Sequence, residues 1–308
     1  MAEGALITGA SGFAGGHLLE RLVSAGVPVQ AWAHRGATQA GSSAVTWSTV
    51  DMLDREAVRE GVRRANPSVV YHLAGAADVH SAWHDPARPL RVNAFGTHNL
   101  LESVREAAPS SRILVTGSAM VYKPQAGIIT EDSPLGPTGP YGLSKLAQEM
   151  IAAQSALATI LIRPFNHAGP RQSASYSTSA FAQQIAQIET GRAEPVLRVG
   201  NLDAQRDVTD VRDTVRAYEA LADRGRPGIP YNVCCGRAYS IRALLDILLS
   251  LARIRVRVET DPARLRPSDN PVIVGSHARL TADTGWTPQI PIEQTLSDLL
   301  EYWRRADA

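Results

Sequence analysis

The sequence predicts an α/β protein: a doubly wound parallel sheet followed by a smaller C-terminal α/β lobe. Three observations point to it. An apolar strand at residues 5–8 runs into the glycine triplet Gly9, Gly12, Gly15 and then into helical spacing. Strand-like and helix-like segments alternate through the first half of the 308 residues. Beyond residue 165 the pattern breaks into shorter pieces. Strict alternation requires right-handed crossovers, and so a sheet covered on both faces in the Rossmann manner. The expected division is residues 1–165 for the Rossmann domain and 166–308 for the smaller lobe, with some crossing of the chain between them.

The elements follow in order. After strand 5–8 and its glycine turn, residues 13–25 have helical spacing and Gly26 stops the helix. Residues 27–33 read as a strand and 54–65 as a helix closed by Asn66-Pro67. A third strand, 69–73, leads into the small residues 74–77. A helix over 92–107 ends before Pro109, and 113–116 is the next strand. The Gly- and Pro-rich stretch 119–140 reads as a loop over a cleft. Helix 141–157 and strand 160–163 complete the regular half. The remainder reads as a loop to residue 179, helices near 180–190, 211–223, 240–252 and 291–305, and brief strands at 196–199, 231–233 and 256–259.

Composition narrows the function classes. Hydrophobic content of 44% and charged content of 20% are ordinary for a globular protein. A net charge of +1 supplies no field for nucleic acid or a membrane surface, so neither is expected as a partner. No basic leader precedes the first glycine and no run of 18 apolar residues occurs, which predicts a soluble cytoplasmic protein. Cys234 and Cys235 are adjacent and read as buried strand residues in a reducing compartment. No CxxC or histidine cluster accompanies them, so no metal is expected.

The glycine loop sits between a strand and a helix. Gly9 permits the tight turn, Gly12 lets the backbone approach a pyrophosphate, and Gly15 allows close helix–strand packing. Ser11, Phe13 and Ala14 complete the loop. A dinucleotide is therefore the expected ligand. The next strand ends in Ala33-His34-Arg35-Gly36, with no acid to hold a ribose 2′-hydroxyl. Arg35, beside His34, is suited to a 2′-phosphate, which favours NADPH and leaves NADH open. Asp51 and Met52 are placed near the adenine, and Leu73, Ala74 and Gly75 at the carboxyl end of a strand facing the cofactor.

Tyr141 and Lys145 lie four residues apart, one helical turn, in the run YGLSK. A free phenol titrates near ~10, and a neighbouring ammonium is expected to lower that value. Ser118 follows the strand ILVTG at the carboxyl edge of the sheet, where ligands bind in open α/β folds. These three residues suit reduction of a ketone. Tyr141 acts as general acid, Lys145 holds the cofactor ribose, and Ser118 polarises the carbonyl.

This combination resembles the extended short-chain dehydrogenase/reductase family, over nearly the whole chain. The runs RPFNHAGPRQ (163–172), VGNLDAQRDVTDVRD (199–213), YNVCCG (231–236), DPARLRPSDNP (261–271) and VGSHARL (274–280) are similar to its GDP-mannose 4,6-dehydratase branch, and most of all to the reductase members. The resemblance implies NAD(P)H-dependent reduction of the 4-keto group of GDP-4-keto-6-deoxy-D-mannose to GDP-D-rhamnose, by a homodimer. It further implies that Asn166 opens the substrate loop, that Arg206 and Arg266 hold the diphosphate, that Glu194 and Val196 flank the base, and that Ser81 and Trp83 face the sugar. His167 is implied to orient rather than to exchange protons. Dehydratases of the branch carry an acid just after the catalytic hydroxyl, whereas this chain has Ser118-Ala119-Met120. Lys123 stands where the family has glycine. A 4-epimerase or 4,6-dehydratase of the same fold is the alternative, followed by a non-catalytic NAD(P) sensor.

Overall fold

A computed structural model of the chain describes residues 4–34, 44–79, 81–264 and 270–306. Seven parallel strands form the central sheet in the order β10-β6-β5-β4-β1-β2-β3. They are β1 (Ala5–Thr8), β2 (Val29–Ala33), β3 (Val45–Thr49), β4 (Val69–His72), β5 (Arg112–Thr116), β6 (Ala158–Pro164) and β10 (Pro230–Val233). Buried strands such as β1 and β5 are near-continuous runs of apolar or β-branched residues, as a sheet covered on both faces demands.

The helices of this layer are α1 (Phe13–Ser24), α2 (Arg55–Ala65), the short α3 (Ser81–His84) and α4 (Ala87–Leu90), α5 (Gly96–Ala107) and α6 (Pro140–Ala153). Asp54 caps α2 by accepting from the Ala57 amide. Tyr71, Leu114, Ile160 and Ile162 of the sheet pack in one core with Leu18 and Leu22 of α1. Leu6, Val70, Ile113 and Val115 pack in another with Val58 and Val62 of α2 and Leu100, Leu101 and Val104 of α5.

Beyond these lie β7 (Asn166–Ala168), α7 (Ser177–Glu189), β8 (Val196–Val199), β9 (Gln205–Asp210), α8 (Val211–Arg224), β11 (Ala238–Ser240), α9 (Ile241–Ser250), β12 (Arg257–Thr260), β13 (Val272–Ile273), α10 (Ala278–Thr284) and α11 (Ile292–Ala306). A second sheet has the order β11-β9-β13, with β7 also paired to β9. β8 and β12 form a separate pair. Phe181 and Ile185 of α7, Leu244 and Leu248 of α9, and Leu296 and Leu299 of α11 make a core of their own.

Several expectations need correction. β3 falls where no strand was expected. Its sequence VTWST alternates at an only partly buried edge and lacks the apolar run of its neighbours. The helix expected over 92–107 opens as a π-helical turn, Arg91–Phe95, before α5. The helix expected to reach residue 157 stops at Ala153, where Ser155 turns back to accept from the Leu157 amide. The 231–233 segment, expected in the smaller lobe, is β10 and edges the large sheet beside β6. Cys234 is buried and Cys235 half-buried, just past the end of β10 rather than within a strand; both are free thiols.

Candidate active site

The glycine loop is built by close approach. Gly9 has φ 72°, a region that favours glycine, and a Cβ there would lie 2.7 Å from the Ala74 amide nitrogen. A Cβ on Gly15 would lie 2.1 Å from the Gly9 carbonyl oxygen. The loop therefore closes on itself and on the segment after β4. Gly12 caps α1 with no side-chain hydrogen bond and no acid in the first helical turn, leaving the backbone amides facing outward for an anion. Those features fit a bound pyrophosphate.

The loop is contiguous with the tyrosine helix. A Cβ on Gly75 would lie 2.7 Å from Asn93 Oδ1 and 3.4 Å from Lys145 Nζ. Asn93, in the π-helical turn, accepts from the Ala76 amide (2.8 Å) and donates to the Ser144 hydroxyl (2.9 Å). A Cβ on Gly142 would collide with the Met120 carbonyl at 2.4 Å, so α6 starts against the turn after β5. That contact sets Tyr141 near Ser118, whose hydroxyl pulls the phenol pKa down. Ser118 is buried and caps its own turn by accepting from the Met120 amide at 3.1 Å.

Electrostatics depart from expectation. Burial pushes the Tyr141 phenol up to about 12, against the downward pull of Ser118. No lowering by Lys145 accompanies it. The Lys145 ammonium is 5% exposed and donates to the Thr116 carbonyl and to Gln148 Oε1, both at 2.8 Å. Burial lowers its own pKa to about 7. The expected depression of the tyrosine by the lysine is absent from this structure; burial dominates and the only lowering influence is Ser118.

The loop from Ser118 onward is held from below. Arg163 donates to both oxygens of Glu149 (2.9 and 2.5 Å), to the Tyr122 hydroxyl (2.8 Å) and to the Glu131 carbonyl (3.0 Å). Tyr122 donates onward to Asn232 of β10 at 2.7 Å. Arg163 and Glu149 are buried, so the pair is a rigid strut whose breaking leaves a stranded charge. Lys123 points to solvent while its amide donates to the Pro134 carbonyl, so its side chain lies outside this strut.

The remaining expected site residues are distributed as follows. Ser11 is exposed, and Phe13 stacks on His167 with ring centroids 5.6 Å apart, tying the glycine loop to β7. Ala14 is half-buried beside it. His34 Nδ1 is 4.0 Å from Asp51, and Met52 is buried against Gly96. Leu73 and Ala74 flank Gly9. Trp83 is 60% exposed, not core, with its ring edge over Gly139 at the start of α6. Ser81 is turned back onto Asp78. Asn166 is exposed at the head of β7, and Arg206 on the adjoining β9 donates to the Gln205 and Pro271 carbonyls. Glu194 and Val196 line a separate open depression of about 540 Å³ with Gln184, Gln187 and Arg198. Arg35 and Arg266 lie outside the described residues.

Sequence reasoning missed Asn93, Thr97 and Gln148. Asn93 and Thr97 are one turn apart on the helix preceding Ser118, and Gln148 one turn beyond Lys145; that spacing was the available signal.

The family model described as GDP-mannose 4,6 dehydratase matches residues 6–299. The chain belongs to this family. The GDP-6-deoxy-D-mannose reductase of Pseudomonas aeruginosa is 36% identical, the match covering 98% of each chain. The UDP-glucose 4-epimerase of Bacillus subtilis is 26% identical over 95% of this chain and 94% of its own. Among solved structures, RMD from Pseudomonas aeruginosa, complexed with NADPH, superposes with a TM-score of 0.86 at 33% identity, covering 99% of each chain. The fold expectation, a Rossmann-type parallel sheet with flanking helices, agrees with that neighbour.

Proposed function

We propose that this protein is an NADPH-dependent oxidoreductase that reduces the 4-keto group of GDP-4-keto-6-deoxy-D-mannose, giving GDP-D-rhamnose. The observation that carries the reading is buried Ser118 close to Tyr141 and to a buried Lys145, in a chain 36% identical to a GDP-6-deoxy-D-mannose reductase. Gly9, Gly12 and Gly15 with the α1 amides hold the pyrophosphate, and residues 73–75 line the ribose side. When bound, the reduced nicotinamide supplies the hydride.

Ser118 donates to the substrate carbonyl oxygen and Tyr141 gives it a proton. A phenol held near 12 keeps its proton at neutral pH, as the acid of a reduction must. Lys145 orients the ribose and steadies the phenolate left behind. On the substrate side, Asn166, Arg206 and Arg266 serve the diphosphate, Glu194 and Val196 the base, and Ser81 and Trp83 the sugar. Ala119 and Met120 offer no acid for elimination of water, which favours reduction over dehydration.

The protein acts as a homodimer. Phe95, Leu143 and Met150 are each more than half exposed on the π-helical turn and α6; Leu143 and Met150 are two turns apart on one face. Among the described residues no helix is long and apolar enough to cross a membrane, which accords with action on a water-soluble nucleotide-sugar in the cytoplasm.

The test is to supply NADPH and GDP-4-keto-6-deoxy-mannose. Stoichiometric loss of reduced-nicotinamide absorbance with GDP-D-rhamnose identified by NMR supports the reading. Interconversion of a nucleotide-sugar with no net cofactor consumption makes it an epimerase.

A further inference from the structure

Six buried polar side chains link the strand feeding the glycine loop to the helix of Tyr141 and Lys145, four in one line (Thr8, His72, Thr97, Gln148) and two, Asn93 and Ser144, joined to it through the Asn93 backbone carbonyl. None is more than 1% exposed. Their hydrogen bonds admit one direction only. Thr97 Oγ1 lies 2.6 Å from the Asn93 carbonyl, which can only accept, so the Thr97 proton goes there. Thr97 Oγ1 must then accept from its other two neighbours, Gln148 Nε2 at 3.0 Å and His72 Nε2 at 2.8 Å. His72 therefore carries its proton on Nε2, and its Nδ1 accepts from the Thr8 hydroxyl at 2.7 Å. Thr8 in turn accepts from the Ala74 amide at 3.1 Å.

The amide of Gln148 has no second orientation. With its NH2 on Thr97, its oxygen faces Lys145 Nζ at 2.8 Å. Turned over, it would set oxygen against an oxygen already committed to accepting, and NH2 against an ammonium. A charged imidazole at His72 would remove the acceptor that Thr8 needs. Burial and the nearby Lys145 hold that ring neutral, with its pKa lowered to about 3.

We propose that Gln148 is a positioning residue for Lys145: its amide oxygen, oriented through Thr97 by neutral His72, is the acceptor that keeps the buried lysine charged and in place. The Thr116 carbonyl is its other acceptor. Desolvation lowers its pKa to about 7, so the loss of either acceptor acts on an ammonium already titrating close to neutral pH. The inference rests on the reductase reading only in its kinetic arm.

Composition makes the test clean. Of 31 Lys and Arg residues only Lys123 and Lys145 are lysines, and Lys123 is exposed. Protein labelled with 13C,15N-lysine gives two side-chain signals, titrated by NMR without substrate. Gln148→Met should lower the Lys145 pKa by about one unit or more, the loss of a hydrogen bond to a charged group. Gln148→Glu, nearly isosteric, should raise it. Thr97→Val should lower it by less, and adding Thr97→Val to Gln148→Met should change nothing further. In turnover, the pH above which kcat declines should follow the Lys145 titration in each variant.

An unmoved Lys145 in Gln148→Met, or shifts of the same sign in Met and Glu, overturns the proposal. Should the Met variant fail to fold, Gln148→Glu decides alone: no upward shift overturns it. If Lys145 moves as expected while kcat does not follow, the positioning stands and the catalytic reading of Lys145 fails.

Discussion

Three alanine substitutions along one short loop should separate closeness of approach from simple helix propensity. In Gly15→Ala the new Cβ would sit 2.1 Å from the Gly9 carbonyl oxygen and about 3.0 Å from Ala10 Cα. Both obstacles are backbone, so the loop must part by about 1 Å. Overpacking of this kind costs ~1–3 kcal/mol of stability. It also displaces the amides aimed at the pyrophosphate; losing one such charge-assisted bond, ~2–3 kcal/mol, weakens NADPH binding by roughly 30- to 150-fold. Gly12→Ala meets the same carbonyl at 3.1 Å and needs only a few tenths of an ångström, so its loss should be intermediate. Gly16→Ala meets nothing closer than the flexible end of Arg171, at 3.6 Å. It lies inside α1 and should gain ~0.5–1 kcal/mol, raising the melting temperature by about 1–3 °C with unchanged affinity. NADPH fluorescence titration and thermal melts of the purified variants give both quantities. Gly15→Ala binding within about threefold of wild type, or Gly16→Ala proving the worst of the three, would refute the packing argument.

Tyr141→Phe should cut kcat by about 10²–10⁴-fold while NADPH affinity stays within a few-fold; an equal loss in affinity would show the hydroxyl to be a binding group instead. His72 has its pKa lowered to about 3 in the native state against an ordinary 6.5, so its contribution is whole above pH 6.5 and is lost as pH falls toward 3. Urea denaturation should show stability falling by up to ~1.4 kcal/mol per pH unit through that window, a slope that His72→Gln removes; equal slopes in the two proteins would contradict a buried neutral ring. If the protein pairs through the exposed face of α6 as proposed, Leu143→Glu with Met150→Glu should give a monomer in sedimentation where wild type gives a dimer; a monomeric wild type, or a variant that still pairs, would refute that interface.

The parts of the fold legible in the sequence were those whose pattern is local. Glycines at 9, 12 and 15 and the apolar runs of β1, β4 and β5 announce themselves because strand burial and loop closure act over a few residues. β3 did not, since an edge strand needs no apolar face on both sides. Nor did the place of β10, whose four residues pair with β6 and are held by long-range contacts, Tyr122 and Glu131 to Asn232 and α8 packed on the same face as α1. In the site, Ser118, Tyr141 and Lys145 could be named from spacing. Their electrostatics could not: the tyrosine is raised rather than lowered because the whole cluster is buried, a property of the packed molecule. The Thr8–His72–Thr97–Gln148 connections span four separate segments and become visible only when those segments are folded together.

The return of residues 230–233 to the edge of the seven-stranded sheet bears on how the chain is made. On a ribosome adding ~5–20 residues per second, β6 emerges long before the partner that will cover it. For several seconds the nascent chain carries an open strand edge of apolar and β-branched residues, and Tyr218, Leu221 and Tyr231 are not yet there to close the core over Ile160 and Ile162. A fragment ending near residue 165 would inherit that open edge permanently and should aggregate instead of behaving as a separable nucleotide module. Split expression at that point should therefore give poor yields, because one short strand arrives late.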